Sequence, residues 1–143
     1  MGEATESKDI SWVVSRTAHL RWAETELDFT LGLKTEHMGF ADKALEALLS
    51  KKYPLIVMDE VLAAGDLQLP EGLGPSMYRE IAAYVIKKVR EDSPNKDTPI
   101  VVMHVGMDTR PVDLFLKAGA TECYDWSKQK SGEEFSDVVI KYT

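Results

Sequence analysis

The run Pro54-Leu55-Ile56-Val57-Met58-Asp59 is a short apolar stretch that ends on a carboxylate, and it restricts the fold more than any other segment. Its length and apolar character predict a buried strand that delivers Asp59 to its carboxyl end. In open α/β sheets that edge is where ligands bind. The residues before it, Ala41 to Lys52, set Ala44, Leu45, Leu48 and Leu49 along one stripe and predict an amphipathic helix. A helix therefore feeds a buried strand that ends in an acid.

The same alternation runs through the chain. Ile10 to Val14 reads as a first strand, Thr17 to Thr30 as a helix with Leu20, Ala23 and Leu27 inward, and Gly32 as its stop. Leu33 to His37 alternates apolar and polar residues, as an edge strand does. Ser76 to Glu91 keeps Tyr78, Ile81, Ala82, Val85, Ile86 and Val89 at helical spacing. Ile100 to His104 is the fourth strand, Asp113 to Ala118 a short helix ended by Gly119, Glu122 to Trp126 the fifth strand, and Glu133 to Tyr142 the last helix. Right-handed crossovers turn five such units into a doubly wound αβα sandwich. A barrel would need eight.

At 143 residues the chain suits one domain that folds without metal or disulfide support. Its single cysteine, Cys123, has no partner in the chain and lies in an apolar stretch, which points to a buried thiol and a cytoplasmic setting. The net charge of -7 disfavours direct contact with nucleic acid, whose binding needs an excess of lysine and arginine. No apolar run is long enough for a membrane span, and Met1 to Lys8 is polar, without the apolar core of a secretion signal. Residues 1–8 are expected to be disordered and 9–143 to form the domain.

The run from Gly32-Leu33 through Ala44-Leu45-Glu46-Ala47-Leu48-Leu49 to Leu55-Ile56-Val57-Met58-Asp59 resembles the receiver domain of bacterial response regulators. So do Lys87-Lys88-Val89-Arg90-Glu91-Asp92, Thr98-Pro99-Ile100-Val101-Val102-Met103 and Leu116-Lys117-Ala118-Gly119-Ala120, and nearly the whole chain is covered. The resemblance implies a flavodoxin-like parallel sheet of five strands in the order 2-1-3-4-5, with Asp59 at the phosphoacceptor position. It also implies two-component signalling, a histidine kinase or effector domain as partner, and dimerisation through the fourth helix, fifth strand and fifth helix.

The site implied by the resemblance departs from the receiver pattern. Receivers hold Mg²⁺ between the phosphoacceptor and an acidic pair ending the first strand, where this chain has Val14, Ser15 and Arg16. The hydroxyl that ends the fourth strand in receivers falls at His104, and the lysine of the fifth strand falls at Trp126. A neutral indole does not replace that charge. Three residues are candidates for compensation: Glu60, Asp66 and Lys128, the last about 7 Å farther along an extended chain than Trp126. The pattern therefore leaves Mg²⁺ unfavoured and no cofactor expected.

Three functions stay open on these residues. The first is a degenerate receiver that works through protein contacts, with weak or absent phosphorylation at Asp59. The second is a phosphoacceptor switch. The third is a small-ligand protein or enzyme, in which Arg16, His104 and Asp59 would form a metal-free anion pocket. Catalysis has the least support, because no glycine-rich phosphate loop, Ser/His or Cys/His pairing, or zinc-type cluster is present. A further departure is an insertion at about 62–76, with Leu67, Leu69 and Leu73 among Pro70, Gly72, Gly74 and Pro75. Its composition predicts an ordered loop with a lid or docking role.

Overall fold

A computed structural model describes residues 5–13, 31–104, 110–125 and 135–143. The strands are β1 (Thr5–Glu6), β2 (Ile10–Val13), β3 (Thr35–Met38), β4 (Lys51–Lys52), β5 (Ile56–Asp59), β6 (Ile100–His104) and β7 (Glu122–Asp125). The helices are α1 (Ala41–Ser50), α2 (Tyr78–Asp92), α3 (Arg110–Ala118) and α4 (Phe135–Tyr142). The expected helix from Thr17 to Thr30, with His19, lies outside the described residues.

Five strands form one parallel sheet in the spatial order β3-β2-β5-β6-β7. Numbered among themselves along the chain, these strands have the expected order 2-1-3-4-5. The carboxylate-ended run is central because Ile56, Val57 and Met58 are all fully buried, a state that only a strand covered on both faces provides. Strand alternation divides the core in two. Val13, Ile56, Met58, Ile100 and Val102 pack with Leu45 and Leu48 of α1, Ile81 and Val85 of α2, and Phe115 of α3. Ile10, Trp12, Val57, Val101 and Met103 pack on the other face with Phe135, Val138 and Val139 of α4. There Trp12 meets Phe135 edge-on, with ring centroids 5.9 Å apart.

Several boundaries differ from the sequence reading. β3 spans Thr35–Met38 because Met38, 5% exposed, reaches the core and receives the Ser11 hydroxyl at its sulfur, which sets the register Val13↔Met38. Leu49 is 42% exposed, since it follows the buried Leu48 by a further 100° around the helix. Tyr78 is 47% exposed because it opens α2 before the helix reaches the core. Within the segment expected to be disordered, Thr5 and Glu6 pair in parallel with Lys51 and Lys52, and the Ser7 amide donates to the Lys52 carbonyl.

The amino edge of the sheet is held by two polar side chains. Asn95, fully buried, donates from Nδ2 to the carbonyls of Leu48 (2.7 Å) and Lys51 (2.6 Å). Its Oδ1 accepts from the Tyr53 amide (2.8 Å) and the Thr98 hydroxyl (3.0 Å). One amide thus ends α1, starts the path into β5 and fixes the turn before β6. Arg90 spreads its guanidinium over the carbonyls of Asn95, Lys96, Thr98 and Gly119. Burial lowers its pKa, and Asp97 opposes that shift. Gly119 ends α3 as expected, at φ +122, where a Cβ would meet Arg90 Cγ at 2.7 Å.

Candidate functional site

Asp59 ends β5 opposite Met103 of β6 and is only 5% exposed. The ladder continues one residue further, because the Glu60 amide donates to the Met103 carbonyl at 2.9 Å. His104 closes β6, half-buried and in register with Asp125 of β7. Asp59 and His104 therefore end adjacent strands at one edge, and such strands lie about 5 Å apart. Alternation puts Asp59 in step with Val57, on the face covered by α4, and His104 in step with Val102 on the opposite face. Ser15, Arg16, Trp126 and Lys128 lie outside the described residues.

Glu60, one of the candidates for compensation, is already engaged at this edge. Its side chain is 5% exposed, and its Oε1 accepts from Arg79 Nε at 2.9 Å and pairs with Nη2 at 2.8 Å. A buried carboxylate needs such a partner, because removal from water costs several kcal/mol per ion on the order of the pair's own attraction. Arg79 was not identified from sequence. A weak pointer existed: a cation in a helix's first turn opposes the helix dipole and needs another reason to be there.

Asp66 sits in the insertion, exposed, with its amide donating to Asp42 Oδ2 at 3.2 Å. The whole insertion is built onto the neighbouring helices. Ala63 and Ala64 offer their carbonyls to the amides of Ala41 and Asp42, the first residues of α1. Those amides would otherwise lack intrahelical partners, and Phe40 at the N-cap makes no side-chain cap bond. Gly65, at φ +64, passes so close to Asp42 that a Cβ would lie 2.3 Å from its Oδ1. At the other end the Leu62 amide donates to the Tyr78 carbonyl. Leu67, Leu69 and Leu73 pack on the core face shared by α1 and α2.

The resemblance to receivers implies Mg²⁺ at this edge, and the described acids that are candidates to compensate for the missing pair, Glu60 and Asp66, do not fit that role. A divalent cation takes several oxygen ligands. Glu60 is bound to Arg79, Asp66 belongs to the α1 end of the loop, and the described residues contain no group of three or more His, Cys, Asp or Glu side chains able to hold a metal. Asp59 itself stays buried at the strand end.

Comparison with solved structures identifies the class of fold. The receiver domain of the sensor histidine kinase PA1611 from Pseudomonas aeruginosa PAO1, whose crystal structure holds magnesium in its active-site cleft, matches with a TM-score of 0.66 at 13% identity. That match covers 95% of this chain and 98% of the other. A response regulator from Hahella chejuensis matches with a TM-score of 0.68 at 21% identity, over 95% and 92% of the two chains. The chemotaxis protein CheY4 of Vibrio cholerae matches with a TM-score of 0.65 at 16% identity, over 96% and 100%. The chain has the receiver fold over nearly its whole length. No family model and no curated protein sequence matches it. Among the described residues, no helix is long and apolar enough to cross a membrane.

Proposed function

We propose that this chain is a signalling module of the receiver type that acts through protein contacts, with weak or no Mg²⁺-dependent phosphorylation at Asp59. The observation that carries the proposal is the pairing of Glu60 with Arg79 beside a buried Asp59. A carboxylate already bound by a guanidinium is a poor magnesium ligand, because binding the ion would strand the arginine and bring two cations together. The sequence supports this reading further, with Ser15 and Arg16 where receivers place acids and Trp126 where they place lysine. The partners are a histidine kinase or an effector domain, in the cytoplasm. A homodimer through α3, β7 and α4 is part of the proposal, and the exposed Leu116 and Ile140 supply apolar contacts on its two helices.

The test is intact-mass analysis and tryptophan fluorescence during Mg²⁺ titration with acetyl phosphate or beryllofluoride, with Asp59→Asn as control. The expected result is no Asp59-dependent mass gain and no saturating fluorescence change. Micromolar Mg²⁺ affinity lost in Asp59→Asn would overturn it. The chain would then be the phosphoacceptor switch, a reading favoured by the placement of Asp59 at the end of the central strand.

A further inference from the structure

We infer that the segment 61–77 is an interlock that holds the carboxyl edge of the sheet in one arrangement, with the Glu60–Arg79 pair as its key. This deepens the proposed contact-based function, because a module that does not switch has its partner surface set in advance. A switching edge needs a segment with two discrete arrangements of similar free energy. Here the segment after β5 is fastened to three different elements. Glu60 is tied to β6 through its amide and to α2 through Arg79. Leu62 is tied to α2 through the Tyr78 carbonyl. Ala63, Ala64 and Asp66 are tied to the first residues of α1.

These fastenings depend on one another. If the base of the loop opens at Arg79, the buried Glu60 carboxylate loses the guanidinium that holds its Oε1. Loss of a charge-assisted contact at a buried carboxylate favours local opening. Opening draws Ala63 and Ala64 away from α1, whose first amides then lose their acceptors, and it lifts Leu67, Leu69 and Leu73 off the core. The loop, the start of α1 and the start of α2 therefore open as one cooperative unit. The Asn95 network at the opposite edge does not share these contacts.

Hydrogen–deuterium exchange on the full chain tests this, without Mg²⁺, phosphodonor or partner, so that its outcome is independent of whether Asp59 is phosphorylated. Two variants attack the interlock at opposite ends: Arg79→Ala at the α2 end, and Gly65→Ala at the α1 end, where the new methyl collides with Asp42. Each is expected to speed exchange by about tenfold or more at Ala41, Asp42, Leu62 and Leu67 together, while Tyr53 and Ile56 keep their protection. Arg79→Lys, which keeps the charge, is expected to restore most of the protection. The inference is overturned if each variant loosens only its own end, if exchange does not change, or if it rises uniformly along the chain.

Discussion

Replacing Asn95 by alanine removes four hydrogen bonds at once, and the structure says which groups suffer. The Tyr53 amide and the Leu48 carbonyl lose their Asn95 partner in a buried place. The Thr98 hydroxyl still reaches the Tyr53 carbonyl at 3.1 Å, and the Lys51 carbonyl lies where burial is partial. Two stranded buried groups at about 1–3 kcal/mol each give a loss near 4 kcal/mol. With a urea dependence of about 2 kcal/mol per molar, the unfolding midpoint should fall by about 2 M. Urea titration followed by the fluorescence of the buried Trp12 and by circular dichroism measures it. Asn95→Asp sharpens the test. It keeps one acceptor, loses both donors and places a carboxylate in a fully buried site, so its folded-state pKa rises above the unfolded value. Stability should then be lowest at neutral pH and recover as pH falls and the carboxyl takes up its proton. A loss below about 1 kcal/mol for the alanine variant, at unchanged urea dependence, would refute the reasoning, because water would have to satisfy the stranded groups.

The Gly119→Ala substitution should cost about 1–3 kcal/mol in thermal unfolding, since φ +122 disfavours a side chain and the methyl would lie 2.7 Å from Arg90 Cγ. The Trp12→Ala change empties the contact with Phe135 and should cost about 3–5 kcal/mol, read by denaturant titration with a circular dichroism probe. Burial, with Glu122 nearby, pushes the Cys123 thiol up to about 11. Cys123 in the folded protein should therefore react with a disulfide reagent far more slowly at pH 8 than in denaturant, with the rate climbing as pH rises toward that value. Cys123 is half-buried where the sequence predicted a buried thiol, and equal rates in both states would contradict even that partial shielding.

The sheet was legible because its strands are apolar runs, and only a doubly wound arrangement covers such runs on both faces. Asp59 was legible for a related reason: a carboxylate at the end of a buried run has one place to go. The edge strand was less so. The stretch Leu33 to His37 alternates correctly, but alternation alone does not set register, and the burial of Met38 moves the strand toward it. The Glu60–Arg79 pair joins a strand end to a helix start across the insertion, and nothing in local spacing announces such a meeting. Asn95 reads as an ordinary turn residue in a run of polar residues. Its role comes from the convergence of α1, β5 and β6 around it, which is a property of the folded chain.

The short ladder between Thr5–Glu6 and Lys51–Lys52 decides how the molecule can be handled. It lies before β2 and β5 begin, and hence at the edge from which all five parallel strands start. Asp59 lies at the edge where they finish. A label, surface tether or carrier protein joined ahead of Thr5 leaves from the amino side, separated from Asp59 by the length of a strand, roughly 13 Å for four residues. Immobilisation through that end presents the Asp59 edge and the fastened loop to any partner in solution.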